Sequence, residues 1–77
     1  MSHPPAQSFA LRGEFITLDK LLKVCGLAGS GGVAKLMVAD GLVTVDGAPE
    51  TRKTAKIRAG QTVHCQGQTI RVESAPE

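Results

Sequence analysis

With 77 residues the chain has room for one domain and no separate second core, and its 42% apolar content is an ordinary globular share that excludes a disordered composition. Nine Lys and Arg against seven Asp and Glu leave a net charge of +2, too small an excess to identify a polyanion-binding protein by itself. A domain this short buries only about 60% of the surface its unfolded chain exposes, which argues against an enclosed catalytic cavity and places function on the surface.

Residues 1–14 hold two prolines and a mixed polar set without periodicity, so they read as a flexible N-terminal arm in which Phe9 and Leu11 pack at most locally. From Thr17 the pattern changes. Leu18, Leu21, Leu22 and Cys25 recur at the spacing of one helical face, Asp19, Lys20 and Lys23 fall on the other, and Thr17 is the expected N-cap. Gly26 supplies the left-handed residue that ends such a helix, and Leu27 can fold back on Leu22 in a Schellman closure. Ser30 is the expected N-cap of a second helix whose apolar face is read as Val33, Ala34, Leu36 and Met37, with Lys35 opposite. Gly41-Leu42 repeats the Gly26-Leu27 ending, and the short connection favours a helix pair packed face to face.

After Gly41 the period switches to two. Leu42-Val43-Thr44-Val45 reads as a strand and Asp46-Gly47 as a tight hairpin turn. Residues 48–56 are polar and basic, with Pro49 restricting the backbone, and predict a loop or irregular edge strand. Thr62-Val63-His64-Cys65 and Thr69-Ile70-Arg71-Val72 predict two short antiparallel strands around Gln66-Gly67-Gln68, and residues 74–77 a C-terminal tail. With only Phe9 and Phe15 aromatic, the core is expected to be aliphatic.

The basic residues are unevenly placed. Arg52, Lys53, Lys56, Arg58 and Arg71 lie between positions 51 and 72 with no acid among them. An Arg guanidinium forks two hydrogen bonds to phosphate oxygens and a Lys ammonium adds a mobile point charge, so the segment Thr51–Arg58 suits a phosphate backbone; the plain alternative is a solvated loop that keeps the chain soluble. Lys20, Lys23 and Lys35 extend that surface or simply decorate helices. The glycines around Ser30 could present free amides to an anion, although a helix cap explains them better. Gly29-x-Gly31-x-x-Ala34 matches a dinucleotide fingerprint formally, but it follows a helix and lacks the surrounding unit.

His3, His64, Cys25 and Cys65 are the soft metal-ligand candidates. His64 and Cys65 are neighbours on a strand and point to opposite faces, which disfavours both a shared ion and a Cys-His nucleophile. Asp40 and Asp46 read as helix-end and turn residues instead of an acid-base pair. The expectation is a non-enzymatic protein without cofactor, metal or small-molecule substrate. Cys25 and Cys65 form no disulfide framework and no apolar run of about 18 residues occurs, which predicts a soluble cytoplasmic protein away from membranes; it is expected to act as a monomer, although nothing in the sequence fixes the oligomeric state. The absence of Trp and Tyr argues against a reader of single strands built on stacking platforms.

Two helices followed directly by Asp40-Gly41-Leu42-Val43-Thr44-Val45-Asp46-Gly47 resemble the RNA-binding domain named after ribosomal protein S-four, with Leu18–Leu22 as its leucine-rich first helix, Gly26-Leu27-Ala28 as its loop and Ser30–Lys35 as its second helix. Glu50-Thr51-Arg52-Lys53, Lys56-Ile57 and Ala59-Gly60-Gln61-Thr62-Val63 are similar to the small stand-alone bacterial members of the YbcJ-like group. The resemblance covers roughly residues 15–72. It implies an α+β fold, a two-helix pair packed on a small, mainly antiparallel sheet (the alpha-L RNA-binding motif), and a domain over residues 15–73. It also implies that the partner is structured RNA, ribosomal RNA included, contacted by Arg52, Lys53, Lys56 and Arg58, with Lys20, Lys23, Lys35 and Ser30 in support. Two departures fall on that surface: Gly31 stands where members often carry Arg after the helix-capping Ser, and Asp46 replaces the more usual Asn of the turn. They shift weight from the second helix to Arg52 and Lys53. The competing class is a protein-interaction adaptor without RNA contact, using the helix pair or a sheet edge.

Overall fold

Both helices end as their glycines require. The computed structural model describes residues 6–75, and in it α1 spans Leu18–Val24 and α2 spans Gly31–Ala39. Gly26 (φ +79°) and Gly41 (φ +75°) take the left-handed conformation. The Leu27 amide donates to the Leu22 carbonyl (3.0 Å) and the Gly26 amide to Lys23 (3.1 Å); Leu42 to Met37 (3.2 Å) and Gly41 to Val38 (3.1 Å) repeat the pattern. Both are Schellman closures, which satisfy carbonyls that a helix end leaves free. Ser30 caps α2, its Oγ accepting from the Val33 amide at 3.3 Å.

Among the described residues seven strands complete the fold: β1 (Ala6–Leu11), β2 (Ile16–Thr17), β3 (Val43–Val45), β4 (Ala48–Pro49), β5 (Lys56–Ile57), β6 (Thr62–Cys65) and β7 (Gln68–Ser74). Five form one sheet in the order β1-β7-β6-β3-β4, while β2 and β5 make a separate antiparallel ribbon. The β3–β4 and β6–β7 hairpins turn on Asp46-Gly47 (φ +52°, +84°) and Gln66-Gly67 (φ +51°, +78°). Positive φ at both central residues is the type I′ geometry, whose twist matches the flanking strands. The Asp46 carboxylate accepts from the Thr62 amide at 2.9 Å and the Asp46 amide donates to the Thr62 carbonyl at 2.7 Å, which ties the turn to the start of β6.

The helices lay Leu18, Leu21, Leu22, Ala34, Met37 and Val38 on the inner face of the sheet, where Val43, Val63, Cys65, Ile70 and Val72 meet them. Ile57 joins the same cluster from the ribbon. The core is aliphatic, as the composition predicts, and no polar or charged residue is buried among the described residues.

Three expectations need correction. The segment read as a flexible arm contains a strand: β1 pairs in parallel with β7 from Ala6↔Thr69 to Leu11↔Ser74, with Leu11 buried and Phe9 packed against the core. The fold therefore begins before residue 15, and residues 1–5 lie outside the described residues. At the other end Ser74 closes β7 and the Ala75 amide donates to the Leu11 carbonyl (2.9 Å), so the tail read at 74–77 starts later; residues 76–77 are not described. On α2 the buried face is Ala34, Met37 and Val38, whereas Val33 and Leu36 are exposed. Periodicity gives the helix and misjudges its rotation: Val38 joins the buried cluster, and Val33 and Leu36 do not.

If β1 is part of the core, Leu11→Ala lowers unfolding free energy by roughly 2–5 kcal/mol, the usual cost of truncating a buried leucine. Urea denaturation measures this; an unchanged midpoint would return residues 6–11 to the status of an arm.

Candidate nucleic-acid interface

The basic segment between β4 and β5 is held by its backbone. A helix leaves its first amides without partners inside the helix, and at α1 the Thr17 side chain does not cap them. The Leu18 amide donates instead to the Ala55 carbonyl (3.0 Å) and the Asp19 amide to the Lys53 carbonyl (3.1 Å). A turn closes the loop, the Ala55 amide donating to the Arg52 carbonyl at 3.1 Å. One residue on, Lys56 pairs with Thr17 and Ile57 with Ile16 across the ribbon. Ile57 is buried, so the pleat turns its neighbours Lys56 and Arg58 away from the core, and both are exposed. Arg58 is steadied by its backbone, whose amide donates to Gln61 Oε1 at 2.7 Å.

Arg52, Thr54, Ala55 and Lys56 line a cleft of about 340 Å³. Glu50 contacts Arg52, one of the lining residues. Its carboxylate accepts from the Thr51 amide (3.1 Å) and the Arg52 amide (3.4 Å), and its other oxygen lies 3.5 Å from Arg52 Nη2. The Arg52 side chain is nevertheless 77% exposed, so its fork remains available to solvent. Burial pushes the Glu50 carboxyl up, but hydrogen bonds and charge from Arg52 outweigh it and leave the pKa below the ordinary glutamate value.

The structure thus places Arg52 and Lys53 on the loop, Lys56 on the ribbon strand that follows it and Arg58 just past that strand. Lys20 and Lys23 are exposed on α1, the helix to which the loop is fastened, and Lys35 is exposed on α2. Ser30 Oγ is engaged in its own helix cap. Among the described residues no hydrogen bond or ion pair ties the side chains of Lys20, Lys23, Lys35 or Ser30 to the loop. One residue escapes the sequence reading: Phe15 is 38% exposed, and Lys56 Nζ sits 5.0 Å from its ring centroid. An exposed cation–π contact of this kind is worth about 0.5–1 kcal/mol. No periodic signal marks Phe15, since it precedes the helix and adjoins a strand only two residues long.

The groups considered for other chemistry stand apart. His64 is exposed, with Nδ1 2.9 Å from Thr69 Oγ1, while Cys65 beside it is buried. Cys25 is half-buried. Burial pushes both thiols up, which keeps them protonated and weakly nucleophilic near neutral pH. Asp40 is the C-cap of α2. Among the described residues no group of three or more His, Cys, Asp or Glu could hold a metal ion, and no helix is long and apolar enough to cross a membrane.

The Glu50–Arg52 contact has a measurable signature. Because the Glu50 pKa is depressed, the pair is present above the ordinary glutamate pKa and is lost as pH falls through the lowered one. In carbon-detected NMR titration, the Glu50 pKa should move upward toward the ordinary value in Arg52→Ala; an unmoved titration would mean that the two side chains do not meet in solution.

Residues 9–73 match the family described as the S4 domain. YbcJ of Escherichia coli strain K12, named for RNA binding, is 51% identical over 57 residues, covering 74% of this chain and 81% of that protein. RlbA of Bacillus subtilis strain 168, named for ribosome maturation, is 32% identical over 62 residues, covering 80% of this chain and 87% of its own. The solution structure of E. coli YbcJ, described as having an alfaL motif involved in RNA binding, superposes with a TM-score of 0.65 at 43% identity, over 96% of this chain and 92% of that one. The match spans both helices, the ribbon and nearly all of the sheet: the chain belongs to the S4 domain family.

Proposed function

We propose that this protein docks the basic face formed by Arg52, Lys53, Lys56 and Arg58 on the phosphate backbone of structured RNA. The observation that carries the reading is the fastening of the basic loop: its carbonyls cap α1 and its end is paired in the ribbon, so the cations are presented from a fixed backbone. Ordering such a loop before binding reduces the conformational entropy surrendered on docking. The relatives' names support RNA as the polyanion, and the one named for ribosome maturation supports a ribosomal RNA.

Recognition on this reading is by shape and backbone, with charge-assisted bonds from the Arg forks and point charges from the Lys ammoniums. Lys20 and Lys23 extend the face from α1; Lys35 and the Ser30 turn are peripheral to it. The protein acts as a cytoplasmic monomer and performs no catalysis of its own. A second reading, a protein-interaction adaptor, draws on Val33 and Leu36, which are 44% and 63% exposed on α2.

Replacing Arg52 and Lys53 together with Ala should weaken RNA binding and flatten the slope of log affinity against log salt by somewhat under one unit for each phosphate that is no longer neutralised. The circular dichroism spectrum and melting temperature should hold, since both side chains are exposed. Unchanged affinity and slope would remove the site assignment, and a cellular partner that survives nuclease treatment would favour the adaptor.

A further inference from the structure

The chain has two aromatic residues, and they are used differently. Phe9 packs against the hydrophobic core, whereas Phe15 is not among the side chains of that cluster or those packed on it and is 38% exposed. Its partner is the Lys56 ammonium, and Lys56 also lines the basic cleft. The ribbon pairs Ile16 with Ile57 and Thr17 with Lys56, so continuing that register by one residue sets Phe15 across from Arg58. The ring therefore has one cation over it, the Lys56 ammonium, and a second exposed cation, Arg58, two residues further along the same segment. The bend before it contributes Arg12 and Glu14, which offset one another in charge.

We infer that Phe15 is a stacking platform for one unpaired base of the bound RNA, with Lys56 and Arg58 on the phosphates that flank that nucleotide. The inference rests on the RNA-binding reading of the same face. A base offers a flat π surface with a phosphate on each side, which is the complement of an exposed ring with Lys56 over it and Arg58 two residues along. When the Lys56 ammonium moves to a phosphate it leaves the ring, and the exposed face is free for a base; base–aromatic stacking is a stronger contact than the exposed cation–π pair it replaces. Recognition then combines backbone docking with one splayed-out nucleotide, at a bulge or loop of structured RNA.

The test uses the full chain and two RNA hairpins of identical stem, one fully paired and one with a single 2-aminopurine bulge. The wild type should bind the bulged hairpin more tightly and quench the aminopurine. Phe15→Leu should bind the bulged hairpin about tenfold more weakly and the paired one as before, with an unchanged salt slope because no cation is removed. Phe15→Tyr, which keeps the ring, should retain both preference and quenching. Wild-type binding without quenching, or a Phe15→Leu protein that still prefers the bulge, overturns the stacking role while leaving phosphate docking intact. Should Phe15→Leu unfold, quenching by the wild type and by Phe15→Tyr decides the matter. If the wild type bound neither hairpin at low salt, the RNA reading itself would have failed, and the stacking with it.

Discussion

Two backbone hydrogen bonds organise this molecule's candidate face: the Leu18 and Asp19 amides donating to the Ala55 and Lys53 carbonyls. They satisfy a helix start that lacks a side-chain cap, and in doing so they fasten a polar, basic loop to α1. Helix α1 is in turn held by Leu18, Leu21 and Leu22 in the core. The chain of cause runs from leucine spacing to helix, from helix start to loop, and from loop to the placement of four cations.

Non-local pairing also shapes the other margin of the sheet. β1 has no covalent neighbour in β7, yet the parallel pairing lets Leu11 cover the end of the core and lengthens β7 to Ser74. For a domain this small, one more strand is a sizeable part of the apolar surface that can be removed from water. The resulting sheet is mixed, with the helices packed on one face and a polar face outside.

Electrostatics on the basic face is moderated within the face itself. Glu50 sits against Arg52, and Asp19 lies on the helix turn to which Lys53 is tied. The cations are thus a local array of modest net charge, consistent with a chain whose total is only +2. Such an array relies on where its charges stand, which is why the fixed backbone of the loop matters more than the number of Lys and Arg residues.

Much of this is legible in the sequence. Short-range rules identify both helices, both Gly-Leu endings, the Ser30 cap and the Asp46-Gly47 turn, because each depends on residues within one turn of chain. The basic segment is legible as a run of Arg and Lys without acids. Which side of α2 is buried, the joining of β1 to β7, the capping of α1 by a distant loop and the stranding of Phe15 outside the core are not, since each is settled by a partner far along the chain. By itself the sequence determined the local elements and the chemistry of the candidate groups; only the tertiary structure decided which of those groups share a surface, because non-local pairing brings residues 15–19 to residues 53–58 and no periodicity records that meeting.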